Sequence, residues 1–104
     1  MLLTEKEILY ELNKLTDWEF IDSKIVKFIK RGNQGENLGY IVKDIWSTAE
    51  NVDHHPDILL TYSGIKITLF THDESCVTSK DINFAHDLDE RLKYILNPKN
   101  LTKD

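Results

Sequence analysis

The feature that most constrains this chain is a change of hydrophobic period at Asp53-His54-His55-Pro56. Before it, Leu38, Ile41, Val42, Ile45, Ala49 and Val52 recur at helical spacing; after it, Ile65, Ile67 and Leu69 alternate with Lys66, Thr68 and Phe70. The first pattern lays one stripe of a helix on a core, and the second lays one face of a strand there. Pro56 disfavours the α region for the residue before it, so the incoming helix has to stop near His54 or His55. Two imidazoles therefore sit where the backbone changes direction, and their rings need not share a face.

The remaining elements follow from the same rules. Thr4-x-x-Glu7 is a capping box for a first helix over Thr4 to Leu15, with Ile8, Leu9, Leu12 and Leu15 on one side. Trp18 to Ile21 reads as a strand, Asp22-Ser23 as a turn and Ile25 to Lys30 as a second strand. Lys30 to Gly35 is a polar, glycine-marked loop that lacks both the Walker and the dinucleotide patterns. The second helix runs from about Glu36 to Asp53, with Trp46 off its apolar stripe and marking a subunit contact. Ile58 to Tyr62, a Ser63-Gly64 turn and Ile65 to Thr71 form a hairpin. Thr78-Ser79-Lys80-Asp81 opens a third helix that buries Ile82, Ala85, Leu88, Leu92 and Ile95. Asp87, Asp89, Glu90, Arg91 and Lys93 form its charged surface and His86 is solvated among them. Asn97-Pro98 ends this helix, and Lys99 to Asp104 is a frayed tail. The order α-β-β-α-β-β-α predicts an α+β fold of two layers, a four-stranded antiparallel sheet with helices on one face.

At 104 residues the chain forms a single domain, 1–104, that buries only about two-thirds of its unfolded surface. The uncovered sheet face and two strand edges predict self-association. A net charge of -5 argues against direct binding of nucleic acid, which calls for a basic face. Cys76 is the single cysteine, so no internal disulfide forms and a reducing compartment is expected. Asp73 and Glu74 disfavour its thiolate, which makes it structural. Met1-Leu2-Leu3 runs at once into Thr4-Glu5-Lys6-Glu7, with no apolar stretch for a signal peptide or membrane span. The expected location is cytoplasmic.

Chemistry concentrates between Glu50 and Asp81, which holds three of the four histidines. Glu50 stands one helical turn before His54, close enough to orient an imidazole. The hairpin returns His72 toward His54 and His55. Three imidazoles at one end of a hairpin fit proton transfer near neutral pH; with a carboxylate they also fit zinc or iron. The adjacency of His54 and His55 and the lack of zinc-protease spacing weigh against zinc. Spacing leaves both readings open beside a third, polar residues at element ends.

Glu50-x-x-x-His54-His55-Pro56, then Tyr62, His72 and Asp81, resembles the signature of the pterin-4a-carbinolamine dehydratases, and the likeness extends to Trp18 and to Asp81-Ile82-Asn83-Phe84-Ala85. The resemblance implies a cofactor-free, metal-free hydro-lyase that takes water from 4a-hydroxytetrahydropterin to give quinonoid dihydropterin, in the cycle of tetrahydrobiopterin-dependent aromatic amino-acid hydroxylases. It implies His54, His55 and His72 as the catalytic acid and base, without assigning which does which. It gives Glu50, Trp18 and Asp81 substrate-binding or orienting roles: Trp18 stacks on the pterin, Asp81 orients His72 or closes the cap of the third helix, and Tyr62 supports the pocket. Family members assemble into dimers through sheet edges and tetramers through helices. They also act as dimerisation cofactors for a homeodomain transcription factor, so a non-catalytic interaction module is the alternative. Two stretches depart from the family pattern. Asp73 to Val77 contains no glycine, so a positive φ there falls on another residue, and Arg31 to Gly39 lacks the family's Phe-rich motif.

Overall fold

The computed structural model describes residues 2–96. Its elements are α1 (Glu5–Leu12), β1 (Trp18–Ile21), β2 (Lys24–Lys30), α2 (Gly35–Val52), β3 (Asp57–Thr61), β4 (Gly64–Leu69), a short 3-10 turn (His72–Glu74) and α3 (Ser79–Ile95). The strands form one antiparallel sheet in the order β1-β2-β4-β3. Ile25 and Ile29 of β2 and Ile65, Ile67 and Leu69 of β4 point to one face. There they meet Ile8 of α1, Leu38, Ile41, Ile45 and Ala49 of α2, and Ile82, Ala85, Leu88 and Leu92 of α3. The expected α+β architecture is thus the observed one. The expected end of α3 at Asn97-Pro98 and the tail from Lys99 lie outside the described residues.

Local chemistry adjusts several boundaries. The capping box at Thr4 and Glu7 is present, but α1 stops at Leu12, short of Leu15. Beyond it the chain turns through Asp17 at φ 60, and the Thr16 amide donates to Asp89 Oδ2 at 2.9 Å. Asp22 and Ser23, both at positive φ, make the tight β1–β2 turn that strand twist favours. The β3–β4 turn is one residue earlier than expected: Thr61 pairs with Gly64, leaving Tyr62-Ser63 at the tip. Gly64 serves instead in the strand, where an added Cβ would fall 2.1 Å from the Ile29 carbonyl oxygen of β2. Strand β4 ends at Leu69 rather than Thr71, because Thr71 bridges back to Cys76.

Two surface assignments are corrected. Asp89 is buried, accepting from the Trp18 indole N–H at 2.9 Å and from Lys27 Nζ at 3.0 Å. Lys27 also donates to the Thr16 carbonyl at 2.6 Å, so this buried charge pair is closed by hydrogen bonds on both sides. His86 is half-buried and reaches Glu11 of α1 at 3.4 Å. Trp46 does stand off the α2 stripe, 49% exposed.

Candidate active site

The end of α2 sets the site. Asp53 takes the left-handed conformation at φ 53 and ψ 44, and the His54 amide reaches back to the Ala49 carbonyl at 3.1 Å. This closes the helix as a glycine commonly does, and the next two side chains diverge. His54 turns toward α3, where its Nε2 lies 2.6 Å from Asp81 Oδ1. His55 turns toward the outer side of α2, where its Nε2 is hydrogen-bonded to Glu50 Oε2 and its ring lies 4.8 Å from that of Trp46. Each imidazole is therefore held by its own carboxylate.

Asp81 is fully buried and its second oxygen accepts from the Thr71 hydroxyl and the Thr78 amide, both at 2.8 Å. Thr78 and Asp81 form the capping box of α3, so one carboxylate both starts the helix and fixes His54. The expected pairing of Asp81 with His72 is corrected. Thr71, the residue before His72, takes the Asp81 oxygen, while the His72 ring lies exposed on Phe70 with centroids 4.2 Å apart. Among the described residues His72 makes no hydrogen bond to His54 or His55. Ser75, in the glycine-free loop, has φ 53, so a non-glycine residue does carry the positive φ there.

His54 lines a cleft of about 290 Å³ between α2 and α3, together with Val52, Lys80, Asn83, Phe84 and Asp87. A larger hollow of about 590 Å³ lies along the Lys27 and Asp89 side of α3 and contains no histidine. Two expected site residues belong elsewhere. Trp18 is buried with its N–H committed to Asp89 and Lys27 Nζ 5.8 Å from its ring centre, so it does not present a face to the His54 cleft. Tyr62 is 82% exposed at the hairpin tip, under the Arg31 guanidinium. Lys80, Asn83, Phe84 and Asp87 were not expected, although their helical spacing beside the buried α3 stripe could have shown them as a lining. Among the described residues no cluster of three or more His, Cys, Asp or Glu side chains is gathered in the way a metal ion would need.

An imidazole whose Nε2 donates to a buried carboxylate keeps Nδ1 for the other partner, as an acceptor when neutral and as a donor when protonated. Of the two pairs at this helix end, only that of His54 rests on a buried carboxylate; Glu50, which holds His55, is exposed. A family model described as pterin 4 alpha carbinolamine dehydratase matches residues 1–91. The chain belongs to that family. It is a family of hydro-lyases, and pterin carbinolamine dehydratase activity is what membership brings to this protein. Among its relatives is an Aquifex aeolicus protein bearing the dehydratase name as a provisional assignment, 36% identical over 90% of this chain and 94% of its own length. A similarly named protein of Picosynechococcus is 35% identical over 85% of this chain and 95% of its own. The fold is also that of the crystal structure of a transcriptional coactivator/pterin dehydratase from Brucella melitensis. That likeness has a TM-score of 0.76 and 29% identity, covering 85% of this chain and 95% of the other.

Proposed function

We propose that this protein dehydrates 4a-hydroxytetrahydropterin to quinonoid dihydropterin by histidine acid-base catalysis. In this reaction the C4a–O bond breaks, the departing hydroxyl takes a proton to leave as water, and N5 gives up its proton as the C4a=N5 double bond forms. One group has to donate and another accept, and side chains titrating near the working pH do both well. The observation that carries the reading is the Asp81-held His54 at the wall of a cleft large enough for a fused bicycle. His55, held by Glu50, and His72, exposed beside Phe70, are the other proton carriers.

The same reading makes the protein a step in tetrahydrobiopterin recycling, with an aromatic amino-acid hydroxylase as client, in a cytoplasmic setting and without a cofactor. It also makes it a dimer or tetramer. The edge strand β3 exposes Leu59 and Leu60, and α2 exposes Tyr40 and Trp46; such surface favours association with another copy. No helix among the described residues is long and apolar enough to cross a membrane. The name of the Brucella structure joins coactivator to dehydratase, and that favours a second reading in which the fold also serves as a protein-interaction module.

Turnover of synthetic 4a-hydroxytetrahydropterin by the wild type, His54→Ala and His72→Ala proteins tests the proposal. Losses of about 10²-fold or more in the variants are expected for removal of a general acid or base. Equal rates in all three would exclude histidine catalysis and leave the interaction module as the better reading.

A further inference from the structure

Three buried polar side chains stand behind His54: Thr71 just beyond β4, Thr78 at the cap of α3 and Asp81 in its first turn. Thr71 Oγ1 lies 2.7 Å from Thr78 Oγ1 and 2.8 Å from Asp81 Oδ2. The Thr71 backbone is pinned at the same place, its amide donating to the Cys76 carbonyl at 2.8 Å. Among the described residues no buried side-chain nitrogen or oxygen lacks a partner, so the protons of this cluster can be counted.

The count fixes where each hydroxyl proton points. Asp81 meets an imidazole nitrogen at one oxygen and an amide donor at the other, and an ionised carboxylate only accepts. Thr71 therefore spends its single proton on Asp81. The contact between the two threonines then needs the other proton, so Thr78 donates to Thr71. This agrees with the cap, where Thr78 Oγ1 accepts from the Lys80 amide at 3.2 Å and keeps its proton for use elsewhere. The hydroxyl chain thus runs one way, from Thr78 to Thr71 to Asp81. With the Thr71 hydroxyl and the Thr78 amide both on Oδ2, the side of the carboxylate left to His54 is Oδ1, 2.6 Å from Nε2. Donors to the charged form favour it, so the proton between Asp81 and His54 stays on nitrogen. In the neutral ring that leaves Nδ1 bare, and Nδ1 is the nitrogen Asp81 does not take on a residue that lines the cleft.

We propose that Thr71 is a positioning residue: its hydroxyl, oriented by that of Thr78, holds the charge on Asp81 and through it keeps His54 in the Nε2–H tautomer. Thr71 acts through Asp81 and not on substrate. Its effect on turnover rests on the dehydratase reading, whereas its effect on the tautomer does not.

The test reads the imidazole nitrogen shifts of His54 in a long-range proton–nitrogen NMR spectrum of the full chain, at a pH where the ring is neutral. Wild type, Thr71→Val and Thr71→Ser are compared, with kcat and KM for 4a-hydroxytetrahydropterin measured in parallel. The wild type should show a protonated Nε2 and a bare Nδ1. Thr71→Val keeps nearly the same shape without the hydroxyl; it should mix the two tautomers and lower kcat by about tenfold to a hundredfold, the range for a hydrogen bond to a charged group, with KM changed less. Thr71→Ser should restore both the single tautomer and kcat. Should Thr71→Val not fold, the wild type carries a test of its own, because a hydroxyl proton donated within the core exchanges slowly enough with water to be observed. A Thr71 hydroxyl proton that exchanges as fast as an exposed one would contradict the proposal, and so would a Thr71→Val protein with the wild-type tautomer and kcat. A wild type without turnover would end the dehydratase reading, and the nitrogen shifts would still decide the role of Thr71.

Discussion

At the scale of single residues, two buried carboxylates on α3 do different work. Asp81 Oδ1 fixes His54 while Oδ2 anchors Thr71 and the helix cap. Asp81→Asn keeps a side-chain oxygen for the cap but removes the charge that sets the imidazole tautomer. We expect it to lower kcat by about 10²-fold or more and to cost about 1 kcal/mol or less of cap stability, checked by steady-state kinetics and urea denaturation of the same sample. Asp89, by contrast, compensates the Lys27 ammonium within the fold. Asp89→Ala leaves that charge buried and unpaired, so unfolding free energy should fall by about 3 kcal/mol or more, a large share of the roughly 5–15 kcal/mol of a small domain. Protein that remains folded should keep its turnover, since Asp89 does not line the His54 cleft. Neither assignment was fully legible in the sequence. The capping box at Asp81 is a local pattern, but its choice of His54 over His72 depends on the left-handed turn at Asp53. The partners of Asp89 lie in the first part of the chain, beyond the reach of any local period.

At the scale of elements, period did most of the predicting. Helical spacing from Leu38 to Val52 and alternation from Ile65 to Leu69 became α2 and β4, because a stripe or a face has to be buried whatever its neighbours are. Boundaries moved where a tertiary contact outweighed propensity. Gly64 looks like a turn residue, yet its use is the close approach of β2, which alternation alone does not reveal. The α1–α3 contact gives a pH-dependent element. Glu11 is held below the ordinary carboxylate range, chiefly by its hydrogen bond with His86 and against a smaller opposing effect of burial. A depressed folded-state pKa adds stability above the unfolded value and loses it as pH falls through the folded one. Glu11→Gln should therefore lower Tm slightly near neutral pH, and the difference should vanish on acidification through the carboxylate range. A difference that persists or grows in acid would assign the contact to packing alone.

At the scale of the whole molecule, the sheet has helices on one face and ends at β1 and β3. Leu59 and Leu60 on β3 are exposed, the kind of edge that isolated domains blunt with charge. If this edge joins copies, light scattering should give the wild type a mass above that of one chain, and Leu59→Lys should reduce it; a monomeric wild type would contradict the assembly. The proposed function rests at this scale on α2, the β3–β4 hairpin and α3 meeting at one end, where His54, Asp81 and Thr71 are joined by hydrogen bonds. The most direct measurement is stopped-flow release of quinonoid dihydropterin from 4a-hydroxytetrahydropterin by wild type and His54→Ala protein at neutral pH. The expected result is catalysis by the wild type that His54→Ala reduces about 10²-fold or more; a variant as fast as the wild type would contradict the account.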